Sequence, residues 1–449
     1  VSQTTSFAPR LAALAGAVAL MLAGSAGATS LLQAYDAALQ NDPTFRSARH
    51  ENEAGQENRI LGRSALLPTV QASYSNSKVR ADISTVYGSG TGQPATHPEY
   101  LSRSAVVQLR QPVINLDGVA RYRQGIAQTN YADAQFDFRK QDLILRLSSA
   151  YTDALFASTQ LRLAEVQRDV YSEQQSVNNR MFEKGEGTKT DMLETQARLD
   201  LAEAQVLEAK DNVATTRATL AGITGLEVEV LDDVKDDFRI APAAGMSFAE
   251  WREIAIKQNP ELVAQQFTIE SARQEVNKNR AGHAPRLDFI ASYSKSTSDS
   301  INTYTQESTQ RAVGIQLTVP LYSGGSVSAA TRQAVANQEK AKSDLEAYTD
   351  KVLIELRKQH ATVQSSVARV RALDKAVASG TELVKATEQS IKGGVRINLD
   401  LLNAQQQLYT SKRDQAQARY NYLLAMLRLN AAAGTLDIDT LREVAAYFK

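Results

Sequence analysis

Asp191 and Asp400 each follow a glycine-bearing turn, Lys184-Gly185 and Lys392-Gly393, where a carboxylate serves electrostatics rather than bond-making. In the first turn of a helix such a group favours the dipole by about 0.3 to 1 kcal/mol, with Thr188 and Asn398 as the expected caps. Covalent chemistry has little to work with. His50, His97, His283 and His360 are scattered, without metal-ligand spacing or a nucleophile elbow nearby. The chain has no cysteine, which excludes disulfides, thiolate metal sites and a cysteine nucleophile. No enzyme activity, cofactor or metal is expected.

The elements that must position those aspartates come next. The 449 residues are 43% hydrophobic, enough for a large core. Lys plus Arg equals Asp plus Glu at 50 each, so net charge points neither to nucleic acid nor to an acidic membrane surface. Arg10, the apolar run from Leu11 to Leu22 and the small residues Gly24 to Ala28 read as a secretory signal, residues 1–28. Its apolar run is short of the roughly 20 residues that span a bilayer. No later apolar run is as long, so any membrane-crossing part must be built from strands.

The mature chain repeats itself. Gln40-Asn41-Asp42-Pro43 returns as Gln258-Asn259-Pro260, Ala72-Ser73-Tyr74-Ser75 as Ala291-Ser292-Tyr293-Ser294, and Gln108-Leu109 before Pro112 as Gln316-Leu317 before Pro320. The offset, roughly 210 residues, is far beyond a solenoid repeat and implies duplication of a whole module. The expected halves are 29–240 and 241–435. Prolines mark the changes of element, because proline lacks an amide proton and biases its predecessor away from the helix. Pro68 and Pro285 start strands and Pro112 and Pro320 end them, giving strands at about 68–80, 101–112, 286–297 and 310–320. Polar stretches 81–98 and 297–309 read as loops.

These strands alternate with period two. Leu287, Phe289, Ala291 and Tyr293 oppose Asp288, Ser292 and Ser294, and Val70, Ala72 and Tyr74 oppose Thr69, Gln71 and Ser73. A half-buried soluble sheet alternates in the same way, but about ten residues is also the length of a tilted membrane strand. Four strands cannot close a barrel, and open edges in hydrocarbon cost several kcal/mol per unpaired group. Two copies give eight strands and a filled interior; three give twelve and an open lumen, so a conduit favours the homotrimer.

Long helices follow, expected at 117–184, 189–222, 325–392 and 398–433. The longest approach 100 Å at about 1.5 Å per residue. Apolar residues recur every seven positions at Leu143, Ala150, Ala157, Ala164 and Tyr171, and at Leu356, Val363, Val370 and Val377, the spacing of a coiled coil. Asn115 and Asp117 can cap the first of them.

Taken together these residues resemble the TolC family of outer-membrane factors over the whole mature chain. The similar pieces are Ala418-Arg419-Tyr420-Asn421-Tyr422-Leu423 with Gly434-Thr435-Leu436, Leu321-Tyr322-Ser323-Gly324-Gly325, and Gly394-Val395-Arg396 with Asp400-Leu401-Leu402. The resemblance implies a mainly α protein with membrane β: a trimeric channel-tunnel in which four strands per subunit enter a shared twelve-stranded β-barrel, above a periplasmic α-barrel of coiled-coil helices. Segments 223–246 and 436–449, with the acidic run Asp232-Asp233 and Asp236-Asp237, would form an equatorial belt; Trp251 is expected to pack a short helix. The implied partners are a periplasmic adaptor, an inner-membrane ABC or proton-driven transporter and outer-membrane lipid. The implied function is export of proteins or small toxic compounds. A soluble periplasmic coiled-coil adaptor is the alternative; it accounts for the helices and leaves the strands unexplained.

The resemblance also implies a periplasmic gate. Thr190 and Asp191 match link positions, Arg396 the arginine that reaches them, and Asp400 a position in an acidic ring at the tunnel entrance. Gly185, Gly187, Gly393 and Gly394 mark the helical turns expected to dock the adaptor. Two departures weaken the pattern: Ile391 replaces a tyrosine of the latch and Asn403 a second acidic ring position.

Overall fold

The computed structural model describes residues 28–82, 97, 99–228, 230–235, 238, 240, 246–299, 305–393 and 395–449. The expected signal segment up to residue 27, and Gly394, Asp236 and Asp237, lie outside them. In chain order the elements are α1 (Leu31–Asn41), α2 (Pro43–Ser64), β1 (Thr69–Arg80), β2 (Glu99–Ile114), α3 (Leu116–Glu183), α4 (Lys189–Thr224), α5 (Phe248–Gln258), α6 (Pro260–Arg280), β3 (Arg286–Asp299), β4 (Thr305–Thr318), α7 (Ser326–Lys392), α8 (Asn398–Ala433) and α9 (Ile438–Ala445). Among the described residues no helix is long and apolar enough to cross a membrane.

The repeated Asp42-Pro43 and Asn259-Pro260 are helix restarts. Asp42 accepts from the amides of Thr44 and Phe45 at 3.2 Å each, and Asn259 from those of Glu261 and Leu262 at 3.0 and 3.3 Å. Each proline stands at the first helical position, where a missing N–H costs nothing. Asp42 is buried, and Arg146 Nη2 donates to it at 2.7 Å.

Two compact units emerge, and each draws on both halves of the sequence. One comprises Ser47–Arg139 and Arg252–Ile354 and holds the sheet, in the order β1-β2-β3-β4 and antiparallel throughout. The registers put Val70, Ala72, Tyr74, Ala105, Val107, Leu109, Phe289, Ala291, Tyr293, Val313, Ile315 and Leu317 on one face. That face is oily and bare: Tyr74, Val313 and Ile315 are 69%, 74% and 71% exposed. The other face carries serines, glutamines and a buried carboxylate, Asp288, to which Arg110 donates at 2.5 Å and Arg286 at 3.1 Å.

Pro112 does not end its strand. β2 runs on to Ile114, and Pro112 faces Asp288 where the register with β3 shifts between Pro112 and Ile114. Pairing with β1 has already stopped at Arg110, so a residue without an amide proton disturbs only one ladder, and a bulge absorbs it. β3 and β4 also extend past the expected loop boundaries, to Asp299 and from Thr305. Asn115 caps α3, accepting from the Gly118 amide at 3.1 Å. Gly125, mid-helix in α3, lies where a Cβ would strike the backbone carbonyl of Asn58 on α2, so the close approach of two helices fixes its identity.

The second unit comprises residues up to Arg46, Lys140–Trp251 and Glu355–Lys449. The seven-residue seams are its core: Leu143, Ala150, Ala157, Ala164 and Tyr171 on α3 are buried, as are Leu199, Val206, Val213 and Leu220 on α4 and Leu356, Val363 and Val370 on α7. Val377 stays half-buried. The C-terminal segment closes around Tyr151, whose hydroxyl donates to the Thr29 carbonyl at 2.9 Å and accepts from the Asp232 amide at 3.1 Å. The Tyr151 ring meets Phe448 edge-on, and the Lys449 amide donates to the Asp233 carbonyl at 2.9 Å. Trp251 is buried in short α5.

Candidate functional site

The ends of the two helical hairpins carry the residues singled out from sequence. Between α3 and α4 the chain turns through Gly185 at φ +76°, a left-handed conformation that glycine adopts without penalty. The Glu186 and Gly187 amides then donate to the Met181 carbonyl at 2.9 and 3.1 Å. At the other turn the Gly393 amide donates to the Gln389 carbonyl at 3.1 Å and that of Val395 to Ser390 at 3.0 Å.

Thr188 caps α4, as expected. Its hydroxyl accepts from the Asp191 amide at 3.1 Å and donates to Asp191 Oδ2 at 2.6 Å, a reciprocal pair that occupies one carboxylate oxygen. Asn398 does not cap α8. The N-cap is Ile397, without a side-chain bond, and Asn398 is the first helical residue. Its amide instead accepts from Gln174 Nε2 at 2.9 Å and donates to Thr195 Oγ1 at 3.3 Å. Two bonds across helices replace one local bond that water can replace at an exposed turn.

Those bonds belong to a buried polar cluster that ties three helices together. Thr195 on α4 is fully buried; its hydroxyl donates to the Asp191 carbonyl at 2.8 Å and accepts from Asn178 Nδ2 at 2.7 Å. Gln174 on α3 also donates to Asn178 Oδ1 at 3.2 Å. One layer away, Gln167 donates to the Tyr171 hydroxyl at 3.1 Å and to Gln406 on α8 at 2.6 Å. The links of Gln174, Asn178, Thr195, Gln167 and Gln406 were not picked out from sequence, yet a signal was there. Asn178 is the next seven-residue step after Tyr171, and Thr195 lies between Met192 and Leu199, so polar residues occupy seam positions.

The residues expected at the gate are placed but not joined to one another among the described residues. Thr190 and Arg396 are exposed and Asp191 and Asp400 half-exposed. Arg396 makes no ion pair among the described residues. Ile391, Asn398 and Asp191 instead line a cavity of about 850 Å³ beside Tyr171, Leu401 and Tyr409. Asn403, the departure in the acidic ring, accepts from Arg198 Nη2 at 3.1 Å. Among the described residues no cluster of histidines and carboxylates could hold a metal ion.

A four-stranded sheet with one oily face, joined in sequence to two hairpins of very long helices, defines the class of channel-tunnel subunits. The chain belongs to the outer membrane efflux protein family, whose model matches residues 34–226 and again 251–435. It is 42% identical over 437 residues to the alkaline protease secretion protein AprF of Pseudomonas aeruginosa, covering 97% of this chain and 90% of that one. It is 37% identical over 451 residues to the proteases secretion protein PrtF of Dickeya chrysanthemi, covering 98% and 96%. Outer membrane protein TolC of Escherichia coli is 28% identical, over 91% of this chain and 83% of that one. Among solved structures, the outer membrane protein VceC of Vibrio cholerae superposes with a TM-score of 0.75 at 16% identity, over 90% and 96% of the two chains. The CmeC outer membrane channel of Campylobacter jejuni does so at 0.76 and 15%, over 93% and 90%. Such distant likenesses speak to the fold.

Proposed function

We propose that this chain is the outer-membrane channel-tunnel of a protein-secreting export system, acting as a homotrimer with a periplasmic adaptor and an inner-membrane transporter. The observation that carries this reading is the sheet. Its oily face is bare and its outer strands β1 and β4 each leave a ladder unpaired, an arrangement that lipid tolerates only when copies complete a shared barrel. The resemblance to two protease-secretion proteins favours a secreted protein, proteases above all, as cargo. A soluble adaptor would leave that face exposed to water, and no step of bond-making is assigned to any residue.

The two matched stretches, 34–226 and 251–435, support duplication of one module. Arg396 meets no carboxylate among the described residues, which supports a latch of Thr190, Asp191 and Arg396 formed between copies, with Asp400 contributing one carboxylate per copy to a ring at the entrance. The turns at Gly185, Gly187 and Gly393, with Gly394, present the adaptor-docking surface. Pro68, Pro285 and Pro320 lie at the junctions between helix and sheet, and Pro112 lies two residues inside the end of β2.

The test pairs cell and bilayer. In a host lacking its own such channel but supplied with the cognate adaptor and transporter, the chain restores release of a protease into the medium, and the purified protein is a detergent-requiring trimer that conducts in planar bilayers. A monomer extracted without detergent, or a silent bilayer, refutes the reading.

A further inference from the structure

One feature of the sheet is used neither by the pore nor by the tip. Beyond the oily band, on the same face and at the end away from α2 and α3, every strand contributes a cation to one line: Lys78 on β1, Arg103 on β2, Lys295 on β3 and Arg311 on β4. The registers place them in a single line. Lys78 stands opposite Leu101, two residues from Arg103; Arg103 stands opposite Thr297, two from Lys295; Lys295 stands opposite Thr309, two from Arg311. Each step is the diagonal of a same-face lattice, about 7 to 8 Å.

That diagonal is the direction of the membrane plane. Strands about 4.8 Å apart and tilted by about 45° put equal depth roughly one and a half residues further along each neighbour, and two is the nearest same-face step. The chain itself fixes the sense of the tilt. On this diagonal the next line inward is Asn76, Ala105, Tyr293 and Val313, and the one after it Tyr74, Val107, Ala291 and Ile315. On the opposite diagonal Lys295 would share its depth with Val107, Val70 and Glu307, placing charges among the oily residues. The cations therefore form one level just outside an aromatic-edged apolar band, where lipid headgroups lie.

The charges are available. Lys78 pairs with Glu99 at 2.9 Å, and Arg80 shares the same carboxylate at 2.6 Å, which leaves one positive charge over. Arg103, Lys295 and Arg311 are exposed and have no carboxylate within ion-pair reach among the described residues. The Arg311 guanidinium lies 5.8 Å from the Tyr293 ring centroid, which steadies it at the edge of the band. Glu307, on the same face, lies two same-face steps further out than Arg311.

We propose that Arg103, Lys295 and Arg311, with Lys78 at the end of their line, bind the phosphate groups of outer-leaflet lipid headgroups. The inference rests on the barrel reading above and adds the chemistry of the lipid it takes. Ammonium and guanidinium groups alternating on neighbouring strands bridge phosphate oxygens with charge-assisted bonds, and three copies of the chain would repeat the line around the barrel.

The test uses the full-length protein in phosphatidylcholine nanodiscs doped with either diphosphoryl lipid A or its dephosphorylated form, with bound lipid counted by native mass spectrometry after extraction. Wild type is expected to retain the phosphorylated lipid at least tenfold over the other, since each surface cation contributes roughly fivefold. Arg103→Gln/Lys295→Gln/Arg311→Gln removes that preference and keeps full bilayer conductance, and added inorganic phosphate does not displace the lipid. Equal retention by wild type and variant overturns the proposal, as does displacement by inorganic phosphate, which marks a free-anion site. Loss of conductance in the wild type itself refutes the barrel, and the proposal with it. A variant that fails to assemble is replaced by the three single substitutions, each expected to lose part of the preference.

Discussion

The Asn398 amide, at the start of α8, donates to the buried Thr195 hydroxyl on α4 at 3.3 Å and so links the two hairpins just above their turns. Thr195 also takes the Asn178 amide at 2.7 Å, so one hydroxyl serves three helices. Thr195→Val keeps the shape and strands two amide donors, at a cost of about 1 to 3 kcal/mol. In planar bilayers the variant is expected to open more often than wild type; unchanged gating means the cluster is packing alone.

Arg396→Ser should also loosen the closed tip, through contacts between copies rather than within one. Each exposed pair is worth about 0 to 1 kcal/mol, so the effect relies on threefold repetition and vanishes in high salt. Single-channel conductance that rises at low salt and converges with wild type at high salt is the expected record. Asp400→Ala is read separately: polyvalent cations added on the periplasmic side should block wild type and spare the variant.

Arg146 guards a buried charge. Asp42 is 3% exposed and leans on Arg146, so Arg146→Met should cost about 3 kcal/mol by leaving that carboxylate unpaired. Adding Asp42→Asn, which keeps the cap on α2 without the charge, should return most of the loss. Thermal unfolding of the detergent-solubilised protein compares the three.

Tyr420 and Tyr422 give α8 and its surroundings an alkaline limit. Burial raises both phenols, each pushed up to about 12, with the nearby Asp233 adding to Tyr420 and Tyr447 to Tyr422. The folded value lies above the unfolded one of about 10, so their contribution is complete below that pH and drains away as pH climbs towards 12. Phenolate absorbance should show these two lagging the exposed tyrosines and ionising together with loss of the fold. Titration alongside the exposed tyrosines would contradict their burial.

Much of this architecture was readable in the residues, for physical reasons. The seven-residue spacing from Leu143 to Tyr171 follows from how helices pack, and it is local. Alternation in β3 and β4 likewise reports two environments without any knowledge of neighbours. What escaped depended on partners distant in sequence. Asn398 reads as a cap because nothing nearby competes, and only the approach of Gln174 and Thr195 shows why it is not one. Pro112 reads as a terminator until β1 is seen to have stopped pairing two residues earlier. Gly125 carries no local signal in the sequence, whereas the approach of Asn58 requires a glycine there.

The raw edges of β1 and β4 have a genetic corollary. A ring that needs every member to seal its neighbour can be poisoned by a minority of damaged chains. Proline placed mid-strand in β4, co-expressed in equal amount with sound protein, should silence well over half of the export, so the lesion behaves as dominant.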